Sequence, residues 1–280
     1  MKWLMLMKLG ILGCDGSMGQ LITRLALDDP EIEISIALTE VGSPNIDVDI
    51  ASLVGRAPCG VKIQDISNLE QKIRDSAPDV VTDFTIAKAT EENAPVIVQQ
   101  GISMIIGTTA LSNDFMDEII QLIKQNNAPS VIASNMATGM NLFMKTVGDV
   151  AKALIGWDTE IIEAHHNKKF DSPSGTALSL AKIISDAFEE DLDEVAKYGR
   201  PKGPGPRKIG RKELGIHSIR AGEIVGDHTV LFAGPGERIE LIHRAQDRTC
   251  FASGAINAAK FLIKGKREPR LYTIREILGM

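Results

Sequence analysis

The chain has 280 residues, with 31 lysines and arginines against 37 aspartates and glutamates, a formal net charge of −6. Hydrophobic residues make up 44% and charged residues 24%, so a globular protein of one large or two medium domains is expected. The acidic balance argues against a nucleic-acid partner, whose phosphates need a basic surface. Cys14, Cys59 and Cys250 are too few and too scattered for a disulfide framework. No Cys/His spacing suggests zinc, so no metal site is expected, and the reducing cytoplasm is the expected compartment. No run approaches the roughly 18–20 apolar residues of a membrane span, and the apolar start lacks a signal-peptide cleavage site.

In chain order, the pattern predicts a strand over 9–12, a helix over 18–27 and a second strand over 32–38. Further strands are predicted over 80–83, 102–106 and 130–133, with helices over 87–100 and 113–125 between them. This alternation argues for parallel βαβ units. Beyond residue 135 the texture changes to a helix over 141–155, a strand over 160–164, a polar loop and a helix over 174–188. The Gly/Pro-rich segment 199–210 and its flanks carry Arg200, Lys202, Arg207, Lys208, Arg211 and Lys212. It reads as a solvated basic loop, or alternatively as a patch that steers a dianionic substrate. Strand-like runs over 215–220, 223–232 and 238–244 follow. Their separators, Ala221-Gly222 and Gly234-Pro235-Gly236, are turn chemistry, so the three read as an antiparallel meander. A helix over 247–263, with small residues at Ser253-Gly254-Ala255 and Ala258-Ala259, is expected to return to the first domain. The expected domains are therefore 1–135 with 246–280, and 136–245, joined by two connections that would permit closure. There is no internal repeat.

The run Gly10-Ile11-Leu12-Gly13-Cys14-Asp15-Gly16-Ser17-Met18-Gly19 ends the first predicted strand and opens the first helix. Glycines in such a turn let the backbone approach a pyrophosphate, and the helix N-terminus presents N–H groups and positive dipole. Gly13, Gly16 and Gly19 form GxxGxxG, a pattern that a ligand-free βα turn also produces. Its place at the first strand of a βαβ rhythm favours a Rossmann-like dinucleotide-binding domain. The acidic residue expected about 20 residues later falls at Thr39-Glu40. Glu40 is either a ribose ligand or a solvated loop carboxylate, and in both cases offers nothing cationic to a 2′-phosphate.

Two of the five histidines are adjacent in His165-His166-Asn167-Lys168-Lys169-Phe170-Asp171-Ser172-Pro173-Ser174-Gly175-Thr176-Ala177. Ser174 is a suitable N-cap for the following helix. Two imidazoles, an ammonium and a helix N-terminus together make an anion receptor with its own proton source. Adjacent strand residues face opposite ways, which leaves one histidine open to a packed or surface role. Lys168 reads as solvated.

The segment from Glu163 to Ala177 resembles the signature of the dihydrodipicolinate reductase family of lysine biosynthesis. The resemblance extends, in order, through the glycine turn, Asp83-Phe84-Thr85, Gly107-Thr108-Thr109, Ala133-Ser134-Asn135-Met136 and Arg220-Ala221-Gly222-Glu223-Ile224-Val225-Gly226-Asp227-His228. It implies a homotetrameric, NAD(P)H-dependent enzyme that reduces the hydroxylated cyclic condensate of pyruvate and aspartate semialdehyde to tetrahydrodipicolinate, with loss of water. The implied second domain is α+β, built on a mixed, largely antiparallel sheet for substrate binding and tetramerisation. His165 and Lys169 match the catalytic pair, and His166, Ser174, Gly175 and Thr176 the substrate positions. Gly13, Cys14, Asp15, Gly16, Ser17 and Met18 match the cofactor turn. Gly107, Thr108 and Thr109 match a nicotinamide-side loop, and Ala133, Ser134, Asn135 and Met136 the crossing into the substrate domain.

Two departures bear on the cofactor. Ser17 stands where the family usually has Arg, and Thr39-Glu40 where many members show an acidic residue followed by Arg. NADH is therefore expected to be favoured over NADPH. Two alternatives remain at this stage. Another two-domain dehydrogenase, acting on an amino acid or semialdehyde, would require a reactive cysteine, yet Cys250 lies in a predicted helix without a neighbouring base. A non-enzymatic dinucleotide sensor would have no need of the His-His-x-x-Lys cluster. The family's first strand begins almost at the initiator, as does Met7-Lys8-Leu9. Residues 1–6 are thus expected to be an upstream-start artefact or a dispensable extension, and a chain starting at Met7 to fold and turn over normally.

Overall fold

The computed structural model describes residues 6–207 and 212–280. Residues 1–5 of the expected dispensable extension, and Lys208 and Arg211 of the basic segment, lie outside the described residues. The chain divides into two compact units, residues 1–138 with 249–280, and residues 139–248.

The first unit runs β1 (Met7–Leu12), α1 (Ser17–Leu27), β2 (Ile32–Thr39), α2 (Ile50–Leu53), β3 (Ile63–Asp65), α3 (Leu69–Ser76) and β4 (Val80–Asp83). It continues with α4 (Ala87–Val98), β5 (Ser103–Ile106), α5 (Asn113–Gln125) and β6 (Ser130–Ile132). After α6 (Thr138–Ala153) and the second unit, the chain returns as α9 (Thr249–Ile263), β12 (Leu271–Tyr272) and α10 (Ile274–Ile277). Seven strands form one sheet in the order β12-β6-β5-β4-β1-β2-β3, every pairing parallel. The strand order reverses at β1, and ligands in such sheets bind beyond the carboxyl ends at that point.

Alternation along β1 fixes the layering. Leu9 and Ile11 pack on one face with Ile22 and Ala26 of α1 and the alanines of α9. Leu12 joins Leu38, Val81, Ile97 and Ile119 on the other. Burial on both faces is what a parallel sheet demands. The small residues of α9 permit close approach: a Cβ on Gly254 would stand 1.8 Å from the Met136 carbonyl oxygen.

The second unit carries most of α6, then β7 (Asp158–His165), α7 (Gly175–Ala187), α8 (Leu192–Val195), β8 (Ala196–Tyr198), β9 (Leu214–Arg220), β10 (Gly226–Gly234) and β11 (Glu237–Ala245). Its sheet order is β11-β10-β7-β9-β8. β10 is antiparallel to both β11 and β7, whereas β9 runs parallel to β7 and β8. This corrects the expected meander, because β7 lies between β9 and β10. The Ala221-Gly222 turn does not close a hairpin. Its Ala221 N–H donates to the His165 carbonyl and its Gly222 carbonyl accepts from Asn167 N–H, so it crosses the end of β7.

The basic segment is corrected as well. Arg200 pairs with Glu160 at 3.1 Å and with Glu213, Arg207 with Asp158 at 2.9 Å and with Glu160, and Lys212 with Glu190 at 3.1 Å. These three cations are held by carboxylates rather than solvated. Glu160 of β7 stands over Gly215, whose added Cβ would lie 1.5 Å from the Glu160 carboxylate. Among the described residues, no helix is long and apolar enough to cross a membrane.

Gly19 gives the first test. A Cβ there would meet the Gly13 carbonyl oxygen at 2.2 Å and Cys14 Cα at 2.7 Å, both backbone. Gly19→Ala is expected to cost about 1–3 kcal/mol and to lower Tm by several degrees in a calorimetric scan. An unchanged Tm would show that the turn yields without cost.

Candidate active site

Two sets of side chains carry the chemistry, one in each unit. In the first, the predicted cofactor segments lie at the carboxyl ends of parallel strands: 13–18 after β1, Thr39-Glu40 at β2, 107–109 after β5 and 133–136 after β6. Gly13 adopts a left-handed φ of +64°, and a Cβ there would stand 2.7 Å from Thr85 Cγ2. Gly16 is the N-cap of α1 and contributes no side-chain cap. The turn and Thr39-Glu40 share a cleft of about 450 Å³, with Phe84 and Ile86 on its apolar wall. Its lining includes the carboxylates Asp15, Glu40 and Glu92 and no lysine or arginine. A glycine turn, an N-cap without a side chain and a cleft of this kind fit a dinucleotide.

Individual residues divide by what their side chains already do. Cys14 is buried, burial followed by the neighbouring Asp15 charge pushes its thiol up to about 12, and its N–H donates to the Leu38 carbonyl. Burial raises Asp15, but hydrogen bonds from Ser43, Thr39 and Asn45 outweigh it and hold the carboxyl below its usual range. Thr108 is buried and accepts from Thr90 Oγ1 at 2.9 Å, while Thr109 is exposed. Gly107 N–H donates to the Asp83 carbonyl. The Met136 side chain packs in the core. Ala133 N–H donates to the Ile106 carbonyl, Asn135 Oδ1 accepts from Ala137 N–H, and Ser134 is exposed.

In the second unit, the period of β7 puts Glu163 and His165 on one buried face with Ile161. Glu163 accepts from Arg220 at 2.7 and 2.8 Å, from His165 Nδ1 at 2.6 Å and from the Ser174 N–H at 3.1 Å. Burial alone would raise its pKa; the Arg220 and His165 hydrogen bonds reverse this and hold the carboxyl at about 2. An ionised Glu163 only accepts, so His165 carries its proton on Nδ1. Burial lowers His165 below 6.5 despite Glu163, with Lys169 and Arg220 adding repulsion. His228 lies edge-on to His165, their centroids 5.3 Å apart, and burial brings it down to about 4.

Ser174 is the N-cap of α7, as its place in the sequence implies. Its hydroxyl accepts from Ala177 N–H at 3.2 Å and meets His228 Nε2 at 3.2 Å, and its own N–H is bound to Glu163. Gly175 is open, with nothing within 4 Å of an added Cβ, and Thr176 is half-buried. Lys169 pairs with Asp171 at 2.7 Å, and the Gly175 N–H donates to the same carboxylate. His166 lines a separate cleft of about 440 Å³ with Lys168, Glu223 and Arg248, its Nδ1 buried without a partner. Among the described residues, no group of three His, Cys, Asp or Glu side chains is placed to hold a metal ion.

Sequence reasoning assigned no role to Glu163, Asp171, Arg220 or His228. Glu163 was legible, since it lies two residues before His165 on a predicted strand. Arg220 and His228 reach it only through strand pairing.

A dinucleotide-type turn on a parallel sheet, together with a carboxylate-bound histidine beside a lysine and a helix start, defines an oxidoreductase with acid–base groups. The family models described as Dihydrodipicolinate reductase, N-terminus and C-terminus, match residues 7–136 and 139–278. The chain is 39% identical over 275 residues to the 4-hydroxy-tetrahydrodipicolinate reductase of Methanothermobacter thermautotrophicus, covering 98% of this chain and 100% of that one. The Methanococcoides burtonii protein of that name is 43% identical over 270 residues, covering 96% and 98%. A dipicolinate-bound dihydrodipicolinate reductase structure from Paenisporosarcina sp. aligns with TM-score 0.73 and 26% identity, covering 97% of this chain and 99% of that one. The chain belongs to the dihydrodipicolinate reductase family, and is an NAD(P)H-dependent oxidoreductase. That membership sets aside the sensor and the other dehydrogenases.

The buried site makes acid the weak side of stability. Between pH 6.5 and about 4 the unfolded chain binds a proton at His228 that the native protein does not, so stability falls as pH falls. Glu163, held at about 2 against 4.5, contributes stability above 4.5 that is lost as pH drops toward 2. Tm is therefore expected to decline from neutral pH to pH 4, with a flatter slope in His228→Gln. Equal slopes would remove His228 from this account.

Proposed function

We propose that His165, Lys169 and the helix start at Gly175-Thr176 are the groups with which this chain performs the family's reaction. That reaction is NAD(P)H-dependent reduction of 4-hydroxy-tetrahydrodipicolinate to tetrahydrodipicolinate in lysine biosynthesis through diaminopimelate. One observation carries the assignment: Asp171, a carboxylate of the chain itself, sits on the Lys169 ammonium and the Gly175 N–H. A substrate carboxylate replaces it there with the same chemistry. The second carboxylate goes toward the cleft of His166, Lys168 and Arg248, as the dipicolinate bound by the Paenisporosarcina protein is also a dicarboxylate.

The reduced nicotinamide, when bound, supplies the hydride. Glu163 fixes the Nδ1 proton of His165, so the transferable proton is carried at Nε2. In the free protein Lys169 helps depress His165, and a dianion beside Lys169 offsets that repulsion. Substrate binding therefore raises the proton affinity of the acid at the moment it is needed. Lys169 contributes charge toward the substrate carboxylate.

We assign the cofactor preference to NADH. Asp15, Glu40 and Glu92 line the first cleft without a lysine or arginine, and a 2′-phosphate of about two negative charges is repelled there. Arg56, a more distant cation, is paired with Asp28 at 2.7 Å. Exposed Ile239 and Ile242 on the edge strand β11 support self-association of the second unit, and we assign the family's cytoplasmic homotetramer.

An assay coupled to the upstream synthase, fed pyruvate and aspartate semialdehyde and read as loss of reduced-nicotinamide absorbance, tests the activity. His165→Gln is expected to lower kcat by about 10²–10⁴-fold with little change in cofactor affinity. Lys169→Ala is expected to be comparably damaging, and near-normal turnover in either variant would sink the assignment. Wild-type kcat/KM should decline as pH rises through the His165 pKa, below 6.5.

With both cofactors at low salt, kcat/KM is expected to favour NADH, and Glu40→Arg to move preference toward NADPH mainly through KM. A clear wild-type preference for NADPH would refute the role of Glu40.

A further inference from the structure

We propose that Asp15 is a positioning residue for cofactor selectivity. It pins the segment after β2 that carries Glu40 and adds its own charge to the same cleft. The proposal rests on the reading above that this cleft takes the dinucleotide and disfavours a 2′-phosphate.

Asp15 lies in the glycine turn, two residues after the left-handed Gly13. Its carboxylate faces the other wall of the cleft. Oδ1 accepts from Thr39 Oγ1 at 2.7 Å, and Oδ2 accepts from Ser43 Oγ at 2.6 Å and from Asn45 Nδ2 at 3.2 Å. Thr39 and Ser43 are both buried. Three donors from one short segment thus converge on a single carboxylate. The main chain reinforces this: Ser43 N–H donates to the Glu40 carbonyl, Asn45 N–H to Ser43 Oγ, and Gln20 Nε2 holds the Asp15 carbonyl at 2.8 Å.

Glu40 is exposed, and among the described residues its carboxylate has no hydrogen-bond partner, so its place is set by its neighbours. It lies between Thr39 and Ser43, the two residues bound most closely by Asp15. Releasing Asp15 frees the Ser43 side of Glu40 and removes the Thr39 hydroxyl's anchor, while β3 still pairs the Thr39 main chain. The same carboxylate keeps negative charge in the cleft beside Glu40 and Glu92. A neutral residue here would leave the turn's N–H groups for the pyrophosphate while removing part of the charge that repels a 2′-phosphate.

The test uses the full-length protein and two measurements. Hydrogen exchange on the cofactor-free protein reads the pin directly. Asp15→Ala is expected to speed exchange over residues 40–46 about tenfold or more, with the rest of the sheet unchanged. Equilibrium titration with NADH and with NADPH reads selectivity. In Asp15→Asn, the ratio of the NADPH Kd to the NADH Kd is expected to fall about tenfold from wild type, with a smaller fall at high salt. Should Asp15→Ala fold poorly, Ser43→Ala and Thr39→Val each remove one donor and leave the charge. They are expected to speed exchange in the same segment.

A merely structural residue would weaken both cofactors in the same proportion, and that outcome overturns the proposal, as does unchanged exchange over 40–46. The wild-type ratio judges the NADH reading. The change of ratio between variant and wild type judges Asp15, so the two fail separately.

Discussion

A single buried carboxylate organises the second unit of this protein. Glu163 binds the Arg220 fork from β9, the His165 ring on its own strand and the first N–H of the α7 cap. Such a charge is tolerable in the interior only when its lone pairs are filled, and here they are. Its removal would leave a guanidinium and an imidazole facing one another without a counter-charge. The same contacts that make Glu163 affordable to the fold give His165 its tautomer and its orientation. Stability and the tautomer of His165 therefore depend on one group.

The first unit solves a different problem. Its sheet must be buried on both faces and still leave backbone N–H groups at a helix start for a ligand. Layered packing by Leu9, Ile11 and Leu12 does the first, and a glycine turn without a side-chain cap does the second. Close packing of Gly19 on the turn lets both hold within so few residues. The acidic side chains Asp15, Glu40 and Glu92 line the same cleft.

Much of this was legible in the amino-acid sequence, for reasons that separate local from distant information. The strand over 80–83 and the helix over 113–125 match the structure residue for residue, because each is a self-contained pattern of burial. The glycine turn and the His-His-x-x-Lys segment also declare themselves locally. Pairing does not. β9 resembled a meander strand because its neighbours in sequence looked like hairpin arms, yet the turn at Ala221-Gly222 bonds to the end of β7. Arg200 and Arg207 looked solvated because their carboxylates lie on β7 and before β9. Ser174 reads as a cap from its local pattern, whereas its bonds to Glu163 and His228 come only from the fold. Short elements such as β3 and α3 passed unnoticed because few of their residues are buried.

On the proposed assignment, the Asp171 carboxylate on Lys169 means that the receptor is occupied by the chain's own group before any ligand arrives. Binding is then an exchange of one anion for another, against a competitor tethered only two residues from the lysine. A tether that short corresponds to a local concentration of the order of millimolar or above. Metabolites with a single carboxylate meet that competitor on equal terms and gain little. On that assignment a dianion has a second anchor that Asp171 lacks, so discrimination would come from the resident rival as well as from the second anchor.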